Sequence, residues 1–222
     1  PTGIKVKNMD NTLLEGELIF LPKKQVFLMM IFDILYYKST NVMSTINIRE
    51  RLTKMFETVN EITNNKETFV EDYSGDFDLS KMRKHYEKEM ITFYKDVDTK
   101  INKAKKGDII IKPKLFLFPT GGSPSEIFMF SDLIWESCTE NDKVLCPYEL
   151  DGIIFTGLNQ KYTVNKNEWK YPIYKFKPPS QNSLDVYLVF PRNTDTGEFM
   201  EIFDKSDTTK VSSSSYRIAN FY

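Results

Sequence analysis

The sequence predicts an α+β fold, because apolar runs of strand length crowd both ends of the chain and two long stripes with helical spacing lie between them. Turn-forming clusters divide these segments, as a succession of strands and helices requires. Leu13 to Phe20 and Gln25 to Leu35 read as two strands, both largely buried, joined by the turn Leu21-Pro22-Lys23-Lys24. Ile48, Leu52, Met55, Phe56, Val59 and Ile62 recur at helical spacing and predict a first helix. After a polar stretch from Thr63 to Gly75, Asp78-Leu79-Ser80 opens a second helix. Its Leu79, Met82, Tyr86, Met90, Phe93, Val97 and Ile101 make one apolar stripe of the kind that faces a core. Gly107 closes that segment, Ile109 to Phe118 returns to strand, and Pro119-Thr120-Gly121-Gly122-Ser123-Pro124 is a loop before a short helix ending near Trp135. Ile153 to Phe155, Tyr171 to Lys177 and Asp185 to Phe190 read as strands. Arg192 to Ser215 reads as a polar loop, and Tyr216 to Tyr222 as a last strand.

Composition narrows the function. A chain of 222 residues with 41% hydrophobic content has material for a core, in one large domain or two small ones. No apolar run reaches the roughly 18 residues of a membrane span, since Asp33 breaks the longest, and the N-terminus lacks the pattern of a signal peptide. Thirty basic residues against 31 acidic ones leave a net charge of −1. The chain as a whole therefore exerts no pull on nucleic acid, and any RNA contact has to use a local patch. Cys138 and Cys146, without metal-ligand spacing, fit a reducing compartment, and the sole histidine, His85, lies among charged residues and reads as surface.

The most pointed motif is Tyr174-Lys175-Phe176-Lys177-Pro178-Pro179, continuing to Asn182-Ser183-Leu184-Asp185. On a strand, residues i and i+2 share a face, so Lys175 and Lys177 aim two ammonium groups at one spot. Like charges held together call for an anion between them, and phosphate is the natural one. The plainer alternative is an edge strand whose lysines discourage aggregation. Three further groups accompany the pair: Glu15-Gly16-Glu17-Leu18, Phe32-Asp33-Ile34-Leu35-Tyr36, and Glu149-Leu150-Asp151-Gly152-Ile153-Ile154-Phe155. Singly, these are also what a solvated strand start or a capped core strand looks like.

Taken in order, the four groups resemble the collinear motifs of the covalent nucleotidyltransferases, specifically the mRNA capping guanylyltransferases. The resemblance covers nearly the whole chain, and the Lys-Pro and Asn-Ser-x-Asp continuation is its most specific part. Asn- and Lys-rich composition and the long insert between Val59 and Lys112 resemble enzymes of large DNA viruses. The resemblance implies a nucleotidyltransferase domain over residues 1–215, of twisted, mainly antiparallel sheets with flanking helices, incomplete at its N-terminus. Residues 216–222 would begin an OB-fold domain that continues beyond the C-terminus. It implies that Glu17 bonds the ribose, that Phe32 stacks on guanine, that Lys114 contacts the base, and that Lys175 and Lys177 are catalytic and engage the phosphates. Lys114 is equally read as a solvated strand lysine. Asp151, with Glu15 as a further acid, would hold Mg²⁺ or Mn²⁺.

The same resemblance implies transfer of GMP from GTP, through a lysyl-GMP intermediate, to a 5′-diphosphate RNA end. The partners would be GTP, the 5′ end of nascent RNA, other capping domains or subunits and RNA polymerase, with no membrane, in host cytoplasm or virion. One element of the pattern is missing: no Lys-x-Asp-Gly occurs, and Asp151-Gly152 belongs to a later motif. Two explanations follow, a piece of a longer enzyme cut after the nucleophile strand, or a relative without transfer chemistry that docks RNA polymerase or capping subunits through the Tyr86 stripe or the Gly121-Gly122 loop. An ATP-dependent polynucleotide ligase is the alternative enzyme.

Overall fold

A computed structural model describes residues 9–45, 47–140, 145–168, 170–177, 188–204, 214–217 and 220–221. It divides into two units, residues 1–177 and 178–222.

The first unit is organised around its second strand. β1 (Leu13–Leu21) pairs antiparallel with β2 (Val26–Tyr37), which also pairs antiparallel with the short β3 (Thr40–Asn41). α1 (Ile48–Thr63) is capped by Asn47, whose side chain accepts from the Arg49 amide. α2 (Leu79–Lys103) is capped by Asp78, which accepts from the Ser80 and Lys81 amides. β4 (Ile109–Pro113) then joins β2 as a parallel neighbour, a pairing that the long α1 to α2 excursion makes possible.

Alternation along β2 separates two cores. Val26, Leu28 and Met30 pack with Val97 and Ile101 of α2. Ile31 and Ile34 pack with Leu52, Met55, Phe56 and Val59 of α1, so helices cover both faces of the sheet. The N-terminal part of the same α2 stripe carries Met82, Tyr86, Met90 and Tyr94 into a third cluster with Met129, Phe130 and Leu133 of α3 (Ser125–Trp135). A π-helical turn over Glu136–Glu140 extends α3. β5 (Ile153–Phe155) and β6 (Tyr174–Phe176) form a separate antiparallel pair.

In the second unit, β7 (Leu188–Val189) pairs with β10 (Asn220–Phe221), and β8 (Glu201–Asp204) pairs with β9 (Ser214–Arg217), both antiparallel. The mixed α+β class and the mainly antiparallel pairing agree with the sequence reading.

Four expectations are corrected. β1 is not largely buried: Leu13, Leu18 and Phe20 are each about half exposed, because among the described residues β1 has only β2 as a neighbour. The strand expected over Ile109 to Phe118 stops at Pro113, which has no N–H to donate. Beyond it, Leu115 and Leu117 enter one core while Phe116 and Phe118 enter another, so the side chains of 115–118 alternate without a paired strand among the described residues. Arg192 to Ser215 is not all loop, since β8 and the start of β9 lie in it and Arg192 bridges Phe199. The last strand expected over Tyr216 to Tyr222 is instead two short strands, β9 and β10. The Asn182 to Asp185 part of the lysine motif lies outside the described residues.

Candidate phosphate-binding site

Asp151 carries both lysines of the motif. Lys175 Nζ donates to its Oδ2 at 2.6 Å and Lys177 Nζ to its Oδ1 at 2.5 Å. Register explains the meeting: Ile153 stands opposite Phe176 and Ile154 opposite Lys175, which brings the residues before β5 beside the end of β6. Gly152 makes the approach possible. Its φ of +131° suits only glycine, and a Cβ there would lie 2.7 Å from the Phe176 carbonyl oxygen. The lysine side chains are partly open and Asp151 is three-quarters exposed. Hydrogen bonds from Lys175 and Lys177 pull the Asp151 pKa down to about 2, so its charge persists through the neutral range. A surface carboxylate is an exchangeable counter-ion, and an incoming phosphate offers the lysines more negative charge than the carboxylate does.

A second constellation sits on the sheet. The β1–β2 register passes from Glu15 opposite Asp33 to Gly16 opposite Ile31, which leaves Phe32 as the extra residue of a β-bulge. Gly16 is held by close approach, since a Cβ would come within 2.8 Å of the Met30 carbonyl oxygen. Just past β4, the Lys114 amide donates to the Ile31 carbonyl, which carries the Lys114 side chain over the bulge. Its Nζ lies 5.2 Å from the Phe32 ring centroid and bonds Glu17 Oε2 at 2.6 Å. Glu17, Phe32 and Lys114 are thus one cluster, and Lys175, Lys177 and Asp151 another.

Glu15 belongs to neither. It accepts the Tyr162 hydroxyl, whose pKa burial and that bond push up to about 12. No group of three or more His, Cys, Asp or Glu side chains converges among the described residues. Mg²⁺ commonly takes one or two carboxylates together with substrate phosphates and water, and the chemistry of Asp151, an exposed carboxylate beside two lysines, fits that mode of binding.

Sequence reasoning missed the support of the bulge. Asp33 Oδ1 and Oδ2 accept from Arg51 Nε and Nη2 at 2.7 and 3.0 Å, and the buried guanidinium also donates to the carbonyls of Thr45 and Gln160. An arginine in an otherwise apolar helical stripe, three residues after Ile48, was the available signal. The Gly121-Gly122 loop is occupied internally: Glu126, fully buried, accepts from the Thr120 and Ser123 amides and the Thr120 hydroxyl. Tyr86 and the rest of its stripe are core, so that stripe presents no docking face. His85 is half-buried, its ring nitrogen 2.7 Å from the Glu71 carbonyl oxygen. No described helix is long and apolar enough to cross a membrane.

In class, then, the first unit is an α+β domain whose lysine pair and single carboxylate form a surface suited to phosphate. Over 224 aligned positions the chain is 30% identical to a protein of Acanthamoeba polyphaga mimivirus described as a probable mRNA-capping enzyme. The alignment takes in 97% of this chain and 18% of that protein, so the chain spans under a fifth of its relative's length. No family model matches the chain, and no solved structure matches it.

Proposed function

We propose that this chain is part of an mRNA capping guanylyltransferase and holds GTP for transfer of GMP to a 5′-diphosphate RNA end. The single observation that carries the reading is Asp151 set between Lys175 and Lys177 by Gly152. It is supported by the order of the four motifs and by similarity to a probable mRNA-capping enzyme along almost the whole chain.

In this reading Lys175 and Lys177 exchange the Asp151 carboxylate for phosphate oxygens and follow negative charge as it develops in transfer. Phe32, presented by its bulge, offers a face to guanine, Lys114 reaches the base above that ring, and Glu17 bonds the ribose once Lys114 releases it. Asp151, freed from the lysines, is the residue that would hold Mg²⁺ or Mn²⁺, which when bound neutralises phosphate charge. The attacking amine of a Lys-x-Asp-Gly is not among these 222 residues, and the reading takes it from elsewhere in the enzyme. In the transfer, that neutral amine forms an N–P bond at the α-phosphate while the bond to pyrophosphate breaks. The RNA end then takes the GMP and the amine regains a proton.

The test is GTP binding to the chain with Lys175→Ala and Lys177→Ala. Each is expected to lose at least about tenfold in affinity, the order of a charge-assisted hydrogen bond. Unchanged affinity in both would overturn the site. Competition of ATP against GTP separates this reading from a ligase.

A further inference from the structure

We infer that Trp135, the last residue of α3, is a positioning residue for the phosphate site: by holding Phe176 it sets the face that Lys175 and Lys177 present. The inference takes the lysine pair as the phosphate site of the guanylyltransferase reading and names what fixes that pair to the rest of the first unit.

Strand alternation puts Phe176 on the side of β6 opposite its two lysine neighbours. The lysines lie together on the Gly152 side, where a Cβ on Gly152 would come 2.8 Å from Lys175 Cε and 3.1 Å from Lys177 Cγ. On the other side, the Phe176 ring meets the Trp135 ring edge to face, with centroids 6.3 Å apart and planes at 89°. Trp135 is 7% exposed, yet among the described residues it belongs to none of the three core clusters. A large buried ring at the end of a helix is thus turned to the strand that carries the lysines.

β6 needs such an anchor. Among the described residues β5 and β6 pair only with each other, and a two-stranded pair is marginal without a further surface to pack on. Phe176 is 38% exposed, Ile154 56% and Tyr174 62%, so the pair buries little by itself. Trp135, by contrast, stands on a helix held at both ends. Buried Glu126 accepts from the Thr120 and Ser123 amides at its start, and Arg83 of α2 bonds Glu136 at 2.5 Å just past its end. Phe176 therefore joins three contacts: its ring lies on Trp135, its carbonyl closes on Gly152, and its neighbours bond Asp151. Rotation of β6 about its own axis would take the ring off Trp135 and carry both lysines away from Asp151, because side chains on one strand turn together.

The experiment is calorimetric titration of the chain with inorganic tripolyphosphate, which tests the lysine pair without a base, and separately with GTP. Trp135→Ala is expected to weaken tripolyphosphate binding about tenfold, and Trp135→Phe to keep most of it, since an aromatic edge remains. Phe176→Ala should match Trp135→Ala, and the double variant should be no worse than either, as for two residues that act through one contact. Leu133→Ala, which truncates α3 inside its cluster with α2, should lower the melting temperature and leave tripolyphosphate affinity at the parental value. The chain has two tryptophans, so Trp169→Phe leaves Trp135 as the sole emitter. In that chain tripolyphosphate should shift the Trp135 emission, and Lys175→Ala with Lys177→Ala should abolish the shift, a readout that needs no truncation of Trp135. Parental affinity in Trp135→Ala, additive losses in the double variant, an equal loss in Leu133→Ala, or a flat emission in a chain that binds tripolyphosphate would each overturn the inference. A parent chain that binds tripolyphosphate and ignores GTP would overturn the guanylyltransferase reading alone; one that binds neither would overturn both.

Discussion

Gly152 shows how much of the candidate site depends on one residue. Its φ of +131° and the 2.7 Å from a notional Cβ to the Phe176 carbonyl leave an L-side chain neither conformation nor space. Gly152→Ala is therefore expected to move Asp151 off the lysines and to weaken GTP binding, with little change in the melting temperature of the distant α1 core. Normal GTP affinity in that variant would show that the close approach is dispensable. Asp151 itself gives a pH prediction. Its pKa is depressed by Lys175 and Lys177, so the ion pairs are fully present above the ordinary carboxylate range and are lost as pH falls through about 2. A carboxyl titration followed by NMR should show Asp151 as a low-pH outlier, and mutation of both lysines should return it to the normal range.

Between elements, the Asp33 to Arg51 pair ties β2 to α1 and to the segment around Gln160. Arg51 is 2% exposed and Asp33 7%, so breaking the pair strands a buried charge. Arg51→Leu is expected to cost about 3 to 5 kcal/mol in urea unfolding, and adding Asp33→Leu should recover part of it, since two apolar groups leave no orphan charge. A loss under about 1 kcal/mol for Arg51→Leu would mean that water reaches the pair. The pair also borders Phe32, so its removal should disturb the bulge that presents that ring.

Across the first unit, a charge network joins the long excursion to the sheet. Lys112, 2% exposed on β4, meets Glu67 and Asp96, and Lys100 meets the same two acids. Burial raises the Asp96 pKa, but hydrogen bonds from Lys100 and Lys112 outweigh it and the net shift is downward. Asp96 therefore contributes to stability above the ordinary carboxylate value, and that contribution is lost as pH drops below it. Asp96→Asn should lower stability at pH 7 and flatten its acid dependence, read as melting temperature against pH. An unchanged profile would place the acid sensitivity of the fold elsewhere.

Local periodicity determined much of what the fold became. The stripes of α1 and α2, the Asp78 cap and the Leu21 to Lys24 turn were legible because residues close in sequence make those elements. The Lys175 and Lys177 pair and Asp151-Gly152 could likewise be singled out from spacing and from their order along the chain. Other features arose only from contacts between distant segments. The half-exposed β1, the end of β4 at Pro113 despite alternating Leu and Phe beyond it, the β8 to β9 pairing, and the junction of Arg51 with Asp33 each depend on which neighbour supplies a backbone or charge partner. So does the meeting of Asp151 with two lysines 24 and 26 residues away. Sequence pattern determines which face a side chain takes on its own element; the tertiary structure decides what stands across from it, because hydrogen bonds and ion pairs form over ångströms and their strength depends on the burial that packing creates.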